Sequence, residues 1–107
     1  MNGGTYDVRI MPEASQLLAE HACWWIENRS RDEALRWYEA FVSALKGLSQ
    51  FPESHPLAPE SEDSLEIRNL LFGLGSRPTH RAVFRIKGRV VEVLTIRHHS
   101  QDDIRKL

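Results

Sequence analysis

The chain has 107 residues, of which 41% are hydrophobic and 27% charged, and its formal net charge is −1. This length accommodates one globular domain spanning residues 1–107 and leaves no room for a second. The sequence has no apolar run near the roughly 20 residues that a membrane helix needs. Its first residues lack the apolar stretch of a signal peptide, so we expect a cytoplasmic protein without a membrane partner.

The first predicted elements are a strand and a helix. Apolar and polar residues alternate over residues 6–10, which predicts a strand whose apolar side chains face inward. Pro12 suits the first turn of a helix. An apolar stripe follows it at helical spacing, made of Ala14, Leu17, Leu18, Ala22 and Trp25. The single cysteine, Cys23, excludes an internal disulfide, and we interpret it as a buried thiol in this helix.

A second helix is predicted from Ser30 to about Phe51, where a proline follows. Ser30 and Glu33 match a capping box. The apolar residues at helical spacing are Ala34, Trp37, Tyr38, Phe41, Leu45 and Leu48. The two helices should form a hairpin that lays its apolar stripes on one face of a sheet. Trp24 and Trp37 are then expected in the core or at an interface.

A loop separates the helices from the remaining strands. Residues 52–64 contain three prolines, several acidic side chains and no lysine, with little periodicity, which is typical of an irregular connection. Residues 66–72 read as the next strand. Residues 73–78 contain two glycines and are predicted to form the following connection.

The last predicted strands form a β-hairpin. Residues 80–86 and 90–99 are rich in β-branched and aromatic residues, and the three residues between them include Gly88. We predict that Ile86 pairs with Val90, which sets the register of the hairpin.

This register divides the hairpin into two surfaces and places Arg81 opposite Thr95. The predicted core surface holds Ala82, Phe84, Ile86, Val90, Leu94 and Ile96. The predicted outer surface holds Arg81, Val83, Arg85, Val91, Val93, Thr95 and Arg97. Glu92 falls in the core row, which contradicts the assignment and points to an error of register or to an edge.

The order of elements predicts an α+β fold. An N-terminal strand is followed by a helical hairpin and then by a three-stranded antiparallel meander, and all strands form one sheet with the helices on one face. Residues 100–107 are compatible with a short terminal helix.

The charge is unevenly distributed along the chain. Residues 1–65 carry 5 basic and 11 acidic side chains, whereas residues 66–107 carry 9 basic and 4 acidic ones. The two halves therefore have charges of −6 and +5. This asymmetry fits a basic surface for an anionic partner, and it fits equally a chain whose halves neutralise each other.

The sequence resembles the RelE/ParE superfamily of toxins from type II toxin-antitoxin systems, often called plasmid stabilisation proteins. The resemblance covers nearly the whole chain. Its most specific parts are residues 66–73, with the sequence EIRNLLFG, and residues 80–84, with the sequence HRAVF, before the IRHH of residues 96–99. The strand-to-helix step at residues 6–12, the Trp25-Ile26 pair and residues 51–60 also match the family.

The resemblance implies a toxin that inhibits growth and a cognate antitoxin that neutralises it. One branch of the superfamily resembles ribosome-dependent mRNA endonucleases, or mRNA interferases, and another resembles inhibitors that bind DNA gyrase without chemistry of their own. Metal-free RNA cleavage needs a base, an acid and cations that face the developing charge. In that case Arg81 and Arg97 would hold phosphate, and His98 or His99 would shuttle protons.

Several features favour the ParE branch. The loop after the second helix has no lysine, and no tyrosine follows Tyr38, so groups typical of the RNA-cleaving relatives are absent. Glu60, Glu62 or Glu66 would have to act as the base. We therefore expect a binding toxin whose candidate contacts, identified through the resemblance or the arginine surface, are Arg68, Arg81, Arg85 and Arg97. The competing interpretation is that these arginines form ordinary ion pairs with Glu92 or the acidic loop.

The expected partners are the antitoxin and either gyrase or the ribosome with its mRNA. We expect no cofactor and no metal site, because His98 or His99 with Asp102 or Asp103 would supply too few ligands to define one. A homodimer or a hetero-oligomer with the antitoxin is compatible with the sequence. An orphan member that acts only as an interaction module is the alternative from another class.

Overall fold

The computed structural model describes residues 5–62, 65–75 and 77–98. The elements, in chain order, are β1 (Asp7–Ile10), α1 (Pro12–Asn28), α2 (Arg31–Lys46), β2 (Arg68–Phe72), β3 (His80–Lys87) and β4 (Val90–His98), with single 3-10 turns at Gly47–Ser49 and Pro52–Ser54. Within the described part of the chain, no helix combines the length and the apolar character needed to cross a bilayer. The predicted helix at residues 100–107 and His99 lie outside the described residues.

The helical hairpin forms where the sequence predicts it. Ser30 caps α2, because its Oγ accepts a hydrogen bond of 3.1 Å from the backbone N–H of Glu33. The Glu33 carboxylate pairs instead with Arg29, at 3.4 Å. The helix ends at Lys46 and not near Phe51. Leu48 is buried in the 3-10 turn that follows, so the apolar pattern continues beyond the end of the helix.

The four strands form one sheet in the order β1-β4-β3-β2. The meander β2-β3-β4 is antiparallel, and β1 pairs in parallel with β4. The helices pack on one face, where the core consists of Ala14, Leu18, Trp37, Phe41, Leu45, Leu48, Leu70, Ala82, Phe84, Val91, Val93 and Ile96. The predicted α+β architecture is therefore confirmed.

The predicted register of the β3-β4 hairpin is wrong. Ile86 pairs with Val91 and not with Val90, and Arg81 pairs with Arg97 and not with Thr95. The loop is shorter than predicted, because Lys87 and Val90 are paired and only two residues lie between them. The first of these, Gly88, has a φ of 61°, a conformation that glycine adopts without steric cost and that two-residue hairpin loops require.

A β-bulge in β4 accounts for the rest of the error. Val83 pairs with Thr95 and Phe84 with Val93, so Leu94 is an extra residue without an opposite partner. Before the bulge, Val91 and Val93 face the helices and are fully buried. After the bulge, Ile96 is the residue that faces the helices and is buried.

The shorter loop shifts the register by one residue and so moves residues 90–94 to the faces opposite to those predicted. Val91 and Val93 were expected on the outer surface, but they face the helices. The bulge adds a second shift, so that Ile96 and Arg97 lie on their predicted faces. Val90 and Leu94 were expected in the core row, but they alternate with Val91 and Val93 and lie on the opposite face of β4. Glu92 lies on this outer face as well, so its apparent misplacement in the sequence came from the wrong register.

One expectation for α1 is wrong, since Cys23 is not buried, and of the two alternatives for Trp24 the core is excluded. Cys23 is exposed, and Trp24 has 53% of its surface accessible. Cys23 lies on the side of α1 away from Ala14, whereas Trp24 lies at the edge of the buried stripe, beside Leu17. Trp37 of α2 is 1% exposed, as a core residue should be.

Candidate functional site

The first candidate site is the sheet surface away from the helices, where Arg81, Arg85 and Arg97 lie; we call it the arginine face. Arg81 and Arg97 are direct cross-strand partners. Two like charges in this position repel each other unless an anion lies between or beside them. The structure supplies that anion from Glu60, in the loop between α2 and β2.

Glu60 holds Arg81 in a bidentate ion pair. The two Nη atoms of Arg81 donate to the carboxylate oxygens of Glu60 at 3.1 and 2.5 Å, and Nη1 also donates to the Asn69 side-chain oxygen at 2.9 Å. The hydrogen bond from Arg81 lowers the pKa of the Glu60 carboxyl below its ordinary value, and the charge of Arg97 acts in the same direction. Arg81 is only 4% exposed. It is therefore a buried, engaged cation.

The loop around Glu60 packs onto the arginine face. Ala58 and Ile67 join Val83 in a small buried cluster, against which the bulge residue Leu94 also packs. Backbone hydrogen bonds from Ala58 to Ile67 and from Asn69 to Pro56 fasten the loop along β2. One part of the arginine face is thus covered by the chain's own loop.

Arg85 is also neutralised within the sheet. It lies directly opposite Glu92 on β4, and its Nε donates to a Glu92 oxygen at 2.7 Å. This bond is the main cause that lowers the pKa of the Glu92 carboxyl. Arg85 and Arg97 remain partly accessible. The same face of the sheet also carries Arg9 and Lys87, which are exposed.

Arg68 lies apart from the other three arginines. It pairs with Phe84, whose side chain is in the core, so Arg68 belongs to the opposite row of the sheet. Its Nη1 donates to the carbonyl oxygens of His55, at 2.7 Å, and of Glu53, at 3.2 Å. Arg68 therefore fixes the path of the loop.

His98 lies on the helix side of the sheet. It pairs with His80, and the two imidazole centroids are 4.8 Å apart. The His21 ring of α1 lies 5.1 Å from His80. Burial lowers the pKa of His80 to about 3 and also lowers that of His21, so both rings are neutral at pH 7.

The sheet separates His98, the one candidate proton-transfer histidine among the described residues, from the candidate phosphate ligands. Arg81 and Arg97 project to one side, and His98 projects to the other, because successive residues of a strand alternate between faces. A single phosphate cannot contact both groups. As arranged, the arginine face can recognise a carboxylate or phosphate, but His98 cannot assist it as an acid or base.

The sequence did not predict those contacts of the arginine face and of the histidine cluster that depend on tertiary packing. The sequence allows an ion pair between Arg81 and the acidic loop, but it does not single out Glu60, and it gives no sign that Asn69 is an acceptor for Arg81. His21 was overlooked as well, although it lies three residues after Leu18 and four before Trp25, beside the buried stripe. A histidine beside the apolar stripe of a helix is the sequence signal that could have indicated a half-buried polar group at residue 21.

No metal site emerges from residues 5–62, 65–75 and 77–98, because no three histidine, cysteine or carboxylate side chains in these ranges are placed to hold an ion together.

Comparison with known proteins identifies the class. Residues 8–103 match the family described as the ParE toxin of type II toxin-antitoxin systems, parDE. The chain belongs to this ParE toxin family.

A solved structure shares the fold. It is described as the chromosomal ParDE TA system from P. aeruginosa, and one of its chains matches with a TM-score of 0.71 and 20% sequence identity, over 88% of this chain and 96% of that chain. No curated protein matches the sequence.

Proposed function

We propose that this protein inhibits growth by binding DNA gyrase, without cleaving RNA, and that a cognate antitoxin neutralises it. Membership of the ParE toxin family supports the general class. The observation that carries the finer proposal is the position of His98 on the opposite side of the sheet from Arg81 and Arg97.

RNA cleavage without a metal needs a proton acceptor, a proton donor and a cation around one phosphodiester. The His98 ring lies on the helix side of the sheet, where its centroid is 4.8 Å from that of the His80 ring. Arg81 is held by Glu60 and Asn69 on the other side. This geometry supports recognition of a partner in preference to catalysis on a bound strand.

The proposed contact surface is the accessible part of the arginine face. Arg85 and Arg97 present guanidinium groups on rigid neighbouring strands, which suits recognition of carboxylates on a partner protein. Glu60 and Glu92 reduce the net positive charge there. A surface so compensated favours shaped protein contacts over binding of a polyanion through long-range attraction.

The antitoxin would act as a disordered segment that folds across the toxin and masks this surface. The isolated toxin would self-associate or join the antitoxin in a hetero-oligomer. The composition of that assembly can be measured by light scattering of the purified pair.

The test is a pair of assays with the purified chain. One measures gyrase supercoiling of plasmid DNA, and the other probes mRNA integrity in a translating ribosome extract. We expect inhibited supercoiling with intact mRNA. Codon-positioned cleavage would instead identify an mRNA interferase, and no effect in either assay would identify an interaction module without this toxicity.

A set of variants connects the effect to the arginine face. Arg85→Ala combined with Arg97→Ala should weaken gyrase inhibition by at least tenfold, which corresponds to about 1.4 kcal/mol. Arg36→Ala, an exposed arginine on α2, is the matched control and should inhibit normally. Equal inhibition by all three proteins, with unchanged melting temperatures, would remove the arginine face from the proposal.

A further inference from the structure

A pocket of about 610 Å³ opens on the helix side of the sheet, between the C-terminal half of α1 and the ends of β3 and β4. Its walls include the two adjacent indoles of α1 and the three clustered imidazoles: Trp24, Trp25, His21, His80 and His98. We call it the His-Trp pocket. Its volume is in the range of pockets that hold small organic ligands.

The aromatic walls are preorganised for stacking. The Trp24 and Trp25 rings meet edge to face with centroids 5.7 Å apart. The guanidinium of Arg29 lies 5.6 Å from the centroid of Trp25 and steadies that ring. Trp24 is 53% exposed. A large indole left this accessible at the mouth of a pocket offers a flat apolar surface to an incoming ring.

Two imidazoles of the pocket, those of His21 and His80, are neutral, because burial lowers the pKa of both. His80 is buried, and its Nδ1 is hydrogen-bonded to the Thr79 hydroxyl at 2.8 Å. His21 Nδ1 is buried and makes no hydrogen bond to any described residue. An imidazolium needs acceptors for two N–H groups, so this environment keeps His21 neutral. A neutral imidazole has one N–H donor and one acceptor nitrogen. Where one of these nitrogens is already bonded or buried, the other can form a single hydrogen bond with a ligand.

The charges at the rim do not favour either sign. Glu20 and Arg29 both line the pocket and have opposite formal charges. A charged ligand would lose hydration inside an aromatic enclosure without gaining a net counter-charge. Stacking surfaces combined with single hydrogen-bonding positions suit a ring system that is flat, uncharged and edged with nitrogen or oxygen atoms.

We propose that the His-Trp pocket binds a neutral, planar heteroaromatic small molecule of two or three fused rings, which stacks on Trp24 and hydrogen-bonds to the imidazole cluster. This site is separate from the arginine face, since the two lie on opposite sides of the sheet, and the proposal stands whether or not the protein acts on gyrase.

The test uses a matched pair of probes, quinoline-3-carboxamide and the anionic quinoline-3-carboxylate, with the full chain at pH 7.5. Binding is followed by NMR through the three tryptophan indole N–H signals, which are assigned by tryptophan-to-phenylalanine variants. We expect the carboxamide to shift the Trp24 and Trp25 signals with a dissociation constant below 1 mM. The carboxylate should bind at least tenfold more weakly.

The variant Trp24→Ala should weaken carboxamide binding at least fivefold. Leu35→Ala is the control, because Leu35 is equally exposed, at 53%, on the other helix. It should bind normally, and both variants should keep the wild-type melting temperature. Three results would overturn the proposal: no saturable shift of the Trp24 and Trp25 signals up to 5 mM, equal affinity for the two probes, or binding that Trp24→Ala leaves unchanged.

Discussion

At the scale of single residues, Arg81 shows how an arginine can match a functional motif and still be part of the structural framework. It is almost completely buried and makes hydrogen bonds to Glu60 and Asn69. Losing a buried guanidinium leaves acceptors without donors, which costs more than losing a surface charge. A loss of toxicity in an Arg81 variant would therefore not by itself identify a contact with a target.

We predict that Arg81→Ala lowers the free energy of unfolding by about 2–4 kcal/mol, because it removes charge-assisted hydrogen bonds from a buried position. The measurement is urea denaturation followed by far-UV circular dichroism. Arg36→Ala, exposed on α2, should change stability by no more than about 0.5 kcal/mol. Similar stabilities of the two variants would show that the Glu60 pair contributes little.

His80 gives a second prediction at this scale, through pH. Burial holds its folded-state pKa at about 3, against 6.5 for the ordinary side chain. Between these values the unfolded chain binds the proton and the folded chain does not, so stability is lost as the pH falls through this window. Between pH 7.5 and 5.5, this single site should account for about 1.4 kcal/mol of lost stability.

His80→Phe keeps a ring in the core and cannot take up a proton. We expect its free energy of unfolding, measured in urea at pH 7.5 and 5.5, to depend less on pH than that of the wild type by this amount. Parallel pH dependences in the two proteins would mean that folded His80 titrates normally.

At the scale of elements, the connection between β2 and β3 is fixed by a close backbone approach. A Cβ atom at Gly73 would lie 2.2 Å from the carbonyl oxygen of Arg77, so the backbone would have to move to accept any side chain. Gly75, two residues further along the same connection, has no atom within 4 Å of such a Cβ. The two glycines therefore have different roles in one turn.

Gly73→Ala should destabilise the fold by about 1–3 kcal/mol, the usual cost of overpacking. Gly75→Ala should be neutral, or stabilising by up to about 1 kcal/mol through the unfolded chain. Thermal unfolding of the two variants side by side tests this difference. Equal melting temperatures would mean that the turn relaxes easily around Gly73.

The elements themselves were largely predictable, and their relative positions were less so. Alternation, helical spacing and capping residues placed both helices and all four strands, because these signals are local. The register of β3 and β4 depended on the loop length and on the bulge at Leu94, and neither has a strong local signature. Pairing of Arg81 with the acidic loop was one of the alternatives, but the sequence could not single out Glu60, since the loop that carries it lacks periodicity.

At the scale of the whole molecule, the aromatic centre of the core joins the helices to the sheet. Phe41 of α2 is fully buried, stacks on Phe72 of β2 at 4.3 Å and meets Trp37 edge to face at 5.5 Å. These contacts link two layers and several elements. The stability of the complete domain should therefore respond to a change at this one position.

We predict that Phe41→Leu lowers the unfolding free energy by about 1–2 kcal/mol and the melting temperature by several degrees, at roughly 4–8 °C per kcal/mol. Phe51→Leu is the matched control, because the same substitution is made at a side chain that is 71% exposed. Differential scanning calorimetry measures both. Equal shifts would show that the core repacks around leucine without loss.

The whole-molecule charge pattern was visible in the sequence, but its meaning was not. The acidic first half and the basic second half were compatible with a partner or with mutual neutralisation. Glu60 from the first half binds Arg81 from the second, whereas Arg85 and Glu92 pair within the second half. The described ion pairs thus show that neutralisation accounts for part of the pattern, while Arg85 and Arg97 remain partly accessible.

The parallel pairing of β1 with β4 has a mechanical consequence. The last described strand lies inside the sheet, between the first strand and β3, and Asp7 is paired with Val90. A pulling force applied beyond His98 would draw out an interior strand and so detach β1 and β3 at once, whereas a force on residue 5 would first strip an edge. We therefore expect the unfolding force to differ between the two pulling directions. An ATP-dependent unfoldase that pulls from the C-terminal side would have to separate β4 from β1 and β3 together.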